Sequence, residues 1–235
     1  GYSTLAMGLR KLIDQVDAAT AGSVGNLMAE DDRDKCDQVL RKLTFINYFF
    51  GSLFASCLYC LSSTLVRIMY GLEYTYNADS MIGLVVFCLC VNFFLTVLRN
   101  PLWRFMSVSG LFAKDKNISI AGSVVNLILS IILGIKFGTL GILLGTLASL
   151  VIQIILKIRL LYTERFKINS GKYYFRFIFY SGIGIVIMLL AKFISAEIAV
   201  GSLYIDFVLK AAVSIFVPLC MNYVFFCRTE EYVYL

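Results

Sequence analysis

Of the 235 residues, 60% are hydrophobic and only 15% are charged, against about 25% charged in a soluble domain, which excludes a water-soluble globular fold. Histidine is absent, so Ser-His triads, His-ligated zinc and His proton relays are excluded from this chain. The formal charge of +6 is dispersed between apolar runs instead of forming one patch, which speaks for membrane topology and against nucleic acid as a partner.

The expected fold is all-α: a polytopic membrane protein with about seven transmembrane helices, each needing about 20 mostly apolar residues. The opening stretch, Tyr2 to Leu27, has helical periodicity and span length but carries Arg10, Lys11, Asp14 and Asp17. Uncharged runs follow at Leu43 to Val66, Ser80 to Leu98, Asn117 to Ile135 and Phe137 to Leu156. Tyr173 to Ile194 makes a further span, with Arg176 and Lys192 near its ends where long side chains snorkel. The last, Phe207 to Cys227, contains Pro218, which is expected to kink the helix and not to end it.

Lys and Arg accumulate in cytoplasmic loops, and here the loops alternate. Arg33, Lys35, Arg41 and Lys42 are followed by Arg67 alone; Arg99, Arg104, Lys114 and Lys116 by Lys136 alone; and Lys157, Arg159, Arg165, Lys167, Lys172 and Arg176 by Lys192 and Lys210. The N-terminus is therefore expected outside and the C-terminal tail with Arg228 in the cytoplasm. The turn after the third uncharged run is expected at Lys136, between Gly134 and Gly138. A chain that opens outside at Gly1, with no Met and no signal-peptide pattern, reads as the C-terminal part of a longer protein.

Within the first span, Leu5, Leu9, Leu12, Val16 and Ala19 form an apolar stripe, while Arg10, Asp14, Asp17 and Ala21 share another face. A charge at bilayer depth costs about 2.5 to 3.5 kcal/mol on insertion scales, so such residues pair or line a wet cavity. Three readings stay open: Arg10 and Lys11 facing a cavity with Asp14 and Asp17 as charge partners or cation sites, a neutralised pair packed internally, or an interfacial helix. Gly134, Gly138, Gly141 and Gly145 predict a tightly packed hairpin. Asn47, Asn92, Asn126, Asn222 and Gln153 should seek interhelical partners, and the cysteines, Cys57 and Cys60 included, read as small packing residues, with only Cys36 in a polar loop. No Walker-type phosphate loop is present, and no cofactor motif is recognisable.

Several segments in order carry a resemblance: Tyr2-Ser-Thr, Gly22-Ser-Val-Gly-Asn-Leu27, Phe45-Ile-Asn-Tyr48, Arg99-Asn-Pro-Leu102, Gly110-Leu-Phe112, Lys114-Asp-Lys116, Val125-Asn-Leu-Ile-Leu-Ser-Ile-Ile-Leu133 and Gly138-Thr-Leu-Gly-Ile-Leu-Leu-Gly-Thr-Leu-Ala-Ser149. The chain resembles the second half of polysaccharide repeat-unit (O-antigen, lipid-linked oligosaccharide) flippases of the multidrug/oligosaccharidyl-lipid/polysaccharide exporter superfamily. The likeness covers roughly residues 2–162. It implies a partial second helical bundle over residues 1–163, two extra C-terminal helices over residues 164–235, and a missing N-terminal bundle as partner. It also implies a bacterial cytoplasmic (inner) membrane protein, not an enzyme, that moves a polyprenyl-diphosphate-linked oligosaccharide by alternating access for cell-surface polysaccharide (lipopolysaccharide, capsule) biosynthesis. Members take membrane lipids as surroundings and, in many cases, an ion gradient as driving force. On that reading Arg10 and Lys11, the cations placed deepest, would hold the diphosphate, while Arg67, Arg99 and Arg104 nearer the surfaces set topology or meet lipid head groups. A related multidrug or lipid-precursor exporter shares the fold and stays open. A polyprenyl-sugar membrane enzyme also stays open, although no His and no clustered outer-loop carboxylates supply its base or metal site.

Overall fold

The computed structural model of the protein describes residues 8, 24–25, 32–70, 81–198 and 201–229. Among them every element is helical: α1 (Arg33–Tyr70), α2 (Met81–Val108), α3 (Phe112–Phe137), α4 (Thr139–Leu160) continued by a π-helical turn (Leu161–Phe166), α5 (Gly171–Ala196) and α6 (Leu203–Phe226). All 6 are long and apolar enough to cross a membrane. The protein is an all-α polytopic membrane protein. The expected first span, Tyr2 to Leu27, lies outside the described residues except for Gly8, Val24 and Gly25, which are helical.

The helices outrun the uncharged segments. α1 begins at Arg33 because Asp32 caps it, its Oδ1 accepting from the Lys35 backbone N–H at 3.1 Å, and Asp34 adds negative charge to the first turn. Cys36 is therefore helical and buried, not in a polar loop as its neighbours suggested. α2 runs on through Arg99, Asn100 and a buried Pro101. The hairpin turn also differs from expectation: Lys136 is still helical, and Gly138 at φ 60° makes the reversal, a conformation that L side chains avoid. α6 continues unbroken through Pro218.

α1 occupies the centre, with α2, α5 and α6 packed around it. Its aromatic residues explain why. Tyr48 stacks on Tyr180 of α5 at 4.8 Å, Phe226 of α6 meets the rings of Phe45 and Tyr48 edge-on at 5.2 and 5.4 Å, and Phe94 of α2 lies 6.3 Å from Tyr48. Such tilted and edge-on pairs each contribute about 0.5 to 1.5 kcal/mol beyond their burial. Gly184 of α5 admits the Phe94 ring, since a Cβ there would sit 2.2 Å from Phe94 Cζ.

The α3–α4 hairpin is built differently. A Cβ on Gly141 would lie 2.0 Å from the Leu133 carbonyl oxygen, and one on Gly145 would lie 2.7 Å from the Ser130 nitrogen, so the two backbones touch. Thr146 Oγ1 donates to Asn126 Oδ1 at 3.4 Å, and Ser130 Oγ to the Ile142 carbonyl at 3.3 Å. α4 packs on α2, its π-helical continuation touches α1, and Tyr174 Oη of α5 donates to the Ile155 carbonyl of α4 at 2.7 Å. In α3 only 6% of the most apolar window is buried, against 61% in α2, so its Ile and Leu residues are left for lipid or another helix.

Contacts between distant residues fix the two ends of the bundle. Thr44 Oγ1 and Tyr173 Oη meet at 2.9 Å, and Lys157 Nζ meets Asp115 Oδ1 at 2.7 Å, at one end. Lys192 Nζ donates to the Tyr59 carbonyl at 3.3 Å at the other. The first end gathers most of the described Lys and Arg residues; Arg67, Lys136, Lys192 and Lys210 lie towards the second.

Candidate functional site

At the basic end, residues of α1, α5 and the end of α6 line a groove of about 540 Å³. The first turns of α5 build one wall: Lys172, Phe175, Arg176, Phe179 and Tyr180 recur at helical spacing and so share a face. Phe226 and Thr229 close it from α6, and Arg41 enters from α1. Among the described residues, the charged ones that line the groove are all cationic. Phe175 is 73% exposed and stacks with Phe179 at 6.2 Å, which places an aromatic rim beside the cations.

Arg41 is oriented from behind. Its Nη2 donates to Asp37 Oδ2, one helical turn earlier, and Asp37 is 3% exposed. The other carboxylate oxygen, Oδ1, accepts from the Tyr162 hydroxyl. Tyr162 reaches that position because α4 ends in a π-helical turn, closed by a Lys167 N–H donating to the Tyr162 carbonyl at 2.7 Å with Lys167 at φ 55°. The wide turn carries both Tyr162 and Phe166 into the core, 5.1 Å apart, with Tyr173 5.4 Å from Tyr162. Such π turns recur at functional sites.

Guanidinium and ammonium groups beside an aromatic, lipid-facing rim have a definite chemistry. Charge-assisted hydrogen bonds to phosphate oxygens are roughly twice as strong as neutral ones, and the Arg fork matches phosphate geometry. Phe175 and Phe179 add exposed aromatic surface beside those donors. Among the described residues no three His, Cys, Asp or Glu side chains converge as metal ligands.

Two further polar clusters lie outside the groove. Lys157, 3% exposed, pairs with Asp115 at 2.7 Å and donates to Ser119 Oγ at 3.0 Å, which ties α4 to the first turns of α3. In α6, Pro218 has no N–H for the Ser214 carbonyl, and the Cys57 thiol of α1 donates to that carbonyl instead, at 3.8 Å. Cys57 is thus a hydrogen-bonding residue as well as a packing one. Asn222 donates to Ser52 Oγ across the same helix pair at 3.3 Å, whereas Asn47 donates to the Leu43 carbonyl of its own helix.

The residues singled out from sequence, Arg10, Lys11, Asp14 and Asp17, all lie outside the described residues. Arg67 sits in the last turn of α1, and Arg99 and Arg104 in the second half of α2; none lines the groove. Arg41, Lys172 and Arg176 had registered only as topology signals. A local signature was present, though: Lys172 and Arg176 at i, i+4 interleaved with Phe175 and Phe179, and Asp37 with Arg41 at the same interval. No protein-family model matches the chain, and no curated protein and no solved structure matches it.

Proposed function

We propose that the protein acts in moving a polyprenyl-diphosphate-linked oligosaccharide across a bacterial cytoplasmic membrane, as part of a flippase working by alternating access. The observation that carries this reading is the groove of Arg41, Lys172 and Arg176 beside Phe175 and Phe179 at the basic end of a multi-pass bundle. By the positive-inside rule the basic end is cytoplasmic, so the groove opens to the leaflet from which such a glycolipid departs. Its cations answer the diphosphate and its aromatic rim answers the first isoprene units. The α3–α4 hairpin is stitched within itself and meets the other helices mainly along α2 and at the Tyr162 turn, so it is suited to move as one body against them. In this reading the uncovered face of α3 meets the remaining wall of the cavity.

Photo-crosslinking in native membranes tests the proposal. A polyprenyl-diphosphate sugar bearing a diazirine on its first isoprene unit should label the α5 segment containing Phe175 and Phe179, and unlabelled polyprenyl diphosphate should compete. Equal labelling by the neutral polyprenol, or labelling spread evenly over all helices, would contradict it.

A further inference from the structure

Arg41 belongs to two sites at once. One of its nitrogens holds Asp37, a carboxylate almost wholly removed from solvent, while the residue also lines the groove. Asp37 in turn has both oxygens occupied, Oδ2 by Arg41 and Oδ1 by the Tyr162 hydroxyl. Tyr162 does not line the groove; it stands on the π turn at the end of the hairpin.

We propose that Tyr162 is a positioning residue that governs anion binding in the groove by keeping Asp37 from engaging Arg41 with both oxygens. This inference rests on the groove being an anionic-headgroup site, as proposed above. The physical argument is one of competition for a planar fork. A guanidinium presents five N–H donors in a planar fork and frequently pairs with an open carboxylate through both oxygens. With Tyr162 in place, Oδ1 is taken, Arg41 meets Asp37 through one nitrogen, and its remaining donors are left for the groove. Without that hydroxyl, Oδ1 becomes a buried acceptor lacking its donor, and such an atom strongly favours a replacement. The nearest supply is Arg41 itself, whose head would close onto Asp37 and withdraw from the groove.

The consequence reaches beyond one side chain. Tyr162 rides on α4, so displacement of the hairpin that parts Tyr162 from Asp37 lowers the groove's affinity for its anion. Linkage requires the converse too: an anion that draws Arg41 forward favours the Tyr162–Asp37 contact and the hairpin position that makes it. The headgroup site and the hairpin are thereby coupled through Asp37.

A double-mutant cycle reads this coupling. The probe is polyprenyl diphosphate, and the measurement is its dissociation constant for the full chain in nanodiscs of neutral phosphatidylcholine. Tyr162→Phe should weaken binding about tenfold, the scale of one hydrogen bond to a charged group, and should weaken it no further once Arg41→Ala is present. Asp37→Asn removes the competing charge and should tighten binding, with or without the Tyr162 hydroxyl. Equal weakening by Tyr162→Phe in both Arg41 backgrounds would show general damage and overturn the inference, as would unchanged binding in the wild-type background. If Tyr162→Phe does not fold, Asp37→Asn alone decides, and binding that fails to tighten overturns the inference. Arg41→Ala that binds like wild type would sink the groove reading itself, whereas a weakened Arg41→Ala with a silent Tyr162→Phe would sink only the coupling.

Discussion

The core of α1, α2, α5 and α6 and the α3–α4 hairpin solve the same problem with opposite materials. In the core, rings from four helices interlock around Tyr48, so contact area and shape hold it. In the hairpin, glycines bring backbones together, and Asn126, Ser130, Thr146 and the Asp115–Lys157 pair stitch them. Lipid tails are as apolar as Leu, so neither region gains from hydrophobic burial as a soluble core would. The core therefore depends on many dispersed contacts, and the hairpin on a few specific ones. Single substitutions should consequently hurt the hairpin more.

The largest effect is expected from Lys157→Ala or Asp115→Ala, either of which leaves a buried charge without its partner, at about 3 to 5 kcal/mol. Joint replacement by Met and Leu should recover most of that loss, as followed by unfolding in mild detergent. Gly141→Val comes next, because it must push two helices apart, and about 1 to 3 kcal/mol or more is expected. Gly182→Val on α5 serves as its control, since a Cβ there meets nothing within 4 Å, and it should melt like wild type.

In the core, Phe226→Leu should lose about 1 kcal/mol, the scale of its edge-on ring contacts. Cys57→Ala should have the smallest effect, about 0.6 kcal/mol, the average for an interhelical hydrogen bond in a membrane. A core substitution that outweighs Lys157→Ala would reverse the contrast between the two regions.

Much of the fold was legible in the sequence because hydrocarbon thickness sets a length that uncharged runs reveal directly. The runs beginning at Leu43, Asn117 and Tyr173 each fall within one described helix; the run from Phe137 starts on the last residue of α3 and crosses Gly138 into α4, the run from Phe207 ends at Cys227 just past α6, and the second run fills α2 from Met81, its first residue Ser80 lying outside the described residues. The helix ends were less legible. Asp32 caps α1 well before its apolar run, Cys36 is buried by tertiary packing that composition does not announce, and the reversal falls at Gly138 where backbone freedom, not charge, decides.

The groove was hidden for a related reason. Arg41, Lys172 and Arg176 are far apart in the chain and individually satisfy the positive-inside rule, so charge counting absorbed them. What unites them is the convergence of α1 and α5 at one end, together with a π turn that no periodicity predicts. Lys157 was likewise counted as a topology cation, yet it is 3% exposed and paired with Asp115.

The most direct measurement is the affinity of polyprenyl diphosphate for the protein in neutral nanodiscs as groove cations are removed. The combined Arg41→Ala, Lys172→Ala and Arg176→Ala variant should bind at least about a thousandfold more weakly, since each charge-assisted hydrogen bond is worth about 1.5 to 3 kcal/mol and each 1.4 kcal/mol is tenfold. Lys114→Ala, which removes a basic-end cation paired with Glu164 at 2.7 Å outside the groove, should leave affinity unchanged. Equal affinity for the triple variant and wild type, or equal losses in the triple variant and Lys114→Ala, would contradict the groove as the headgroup site.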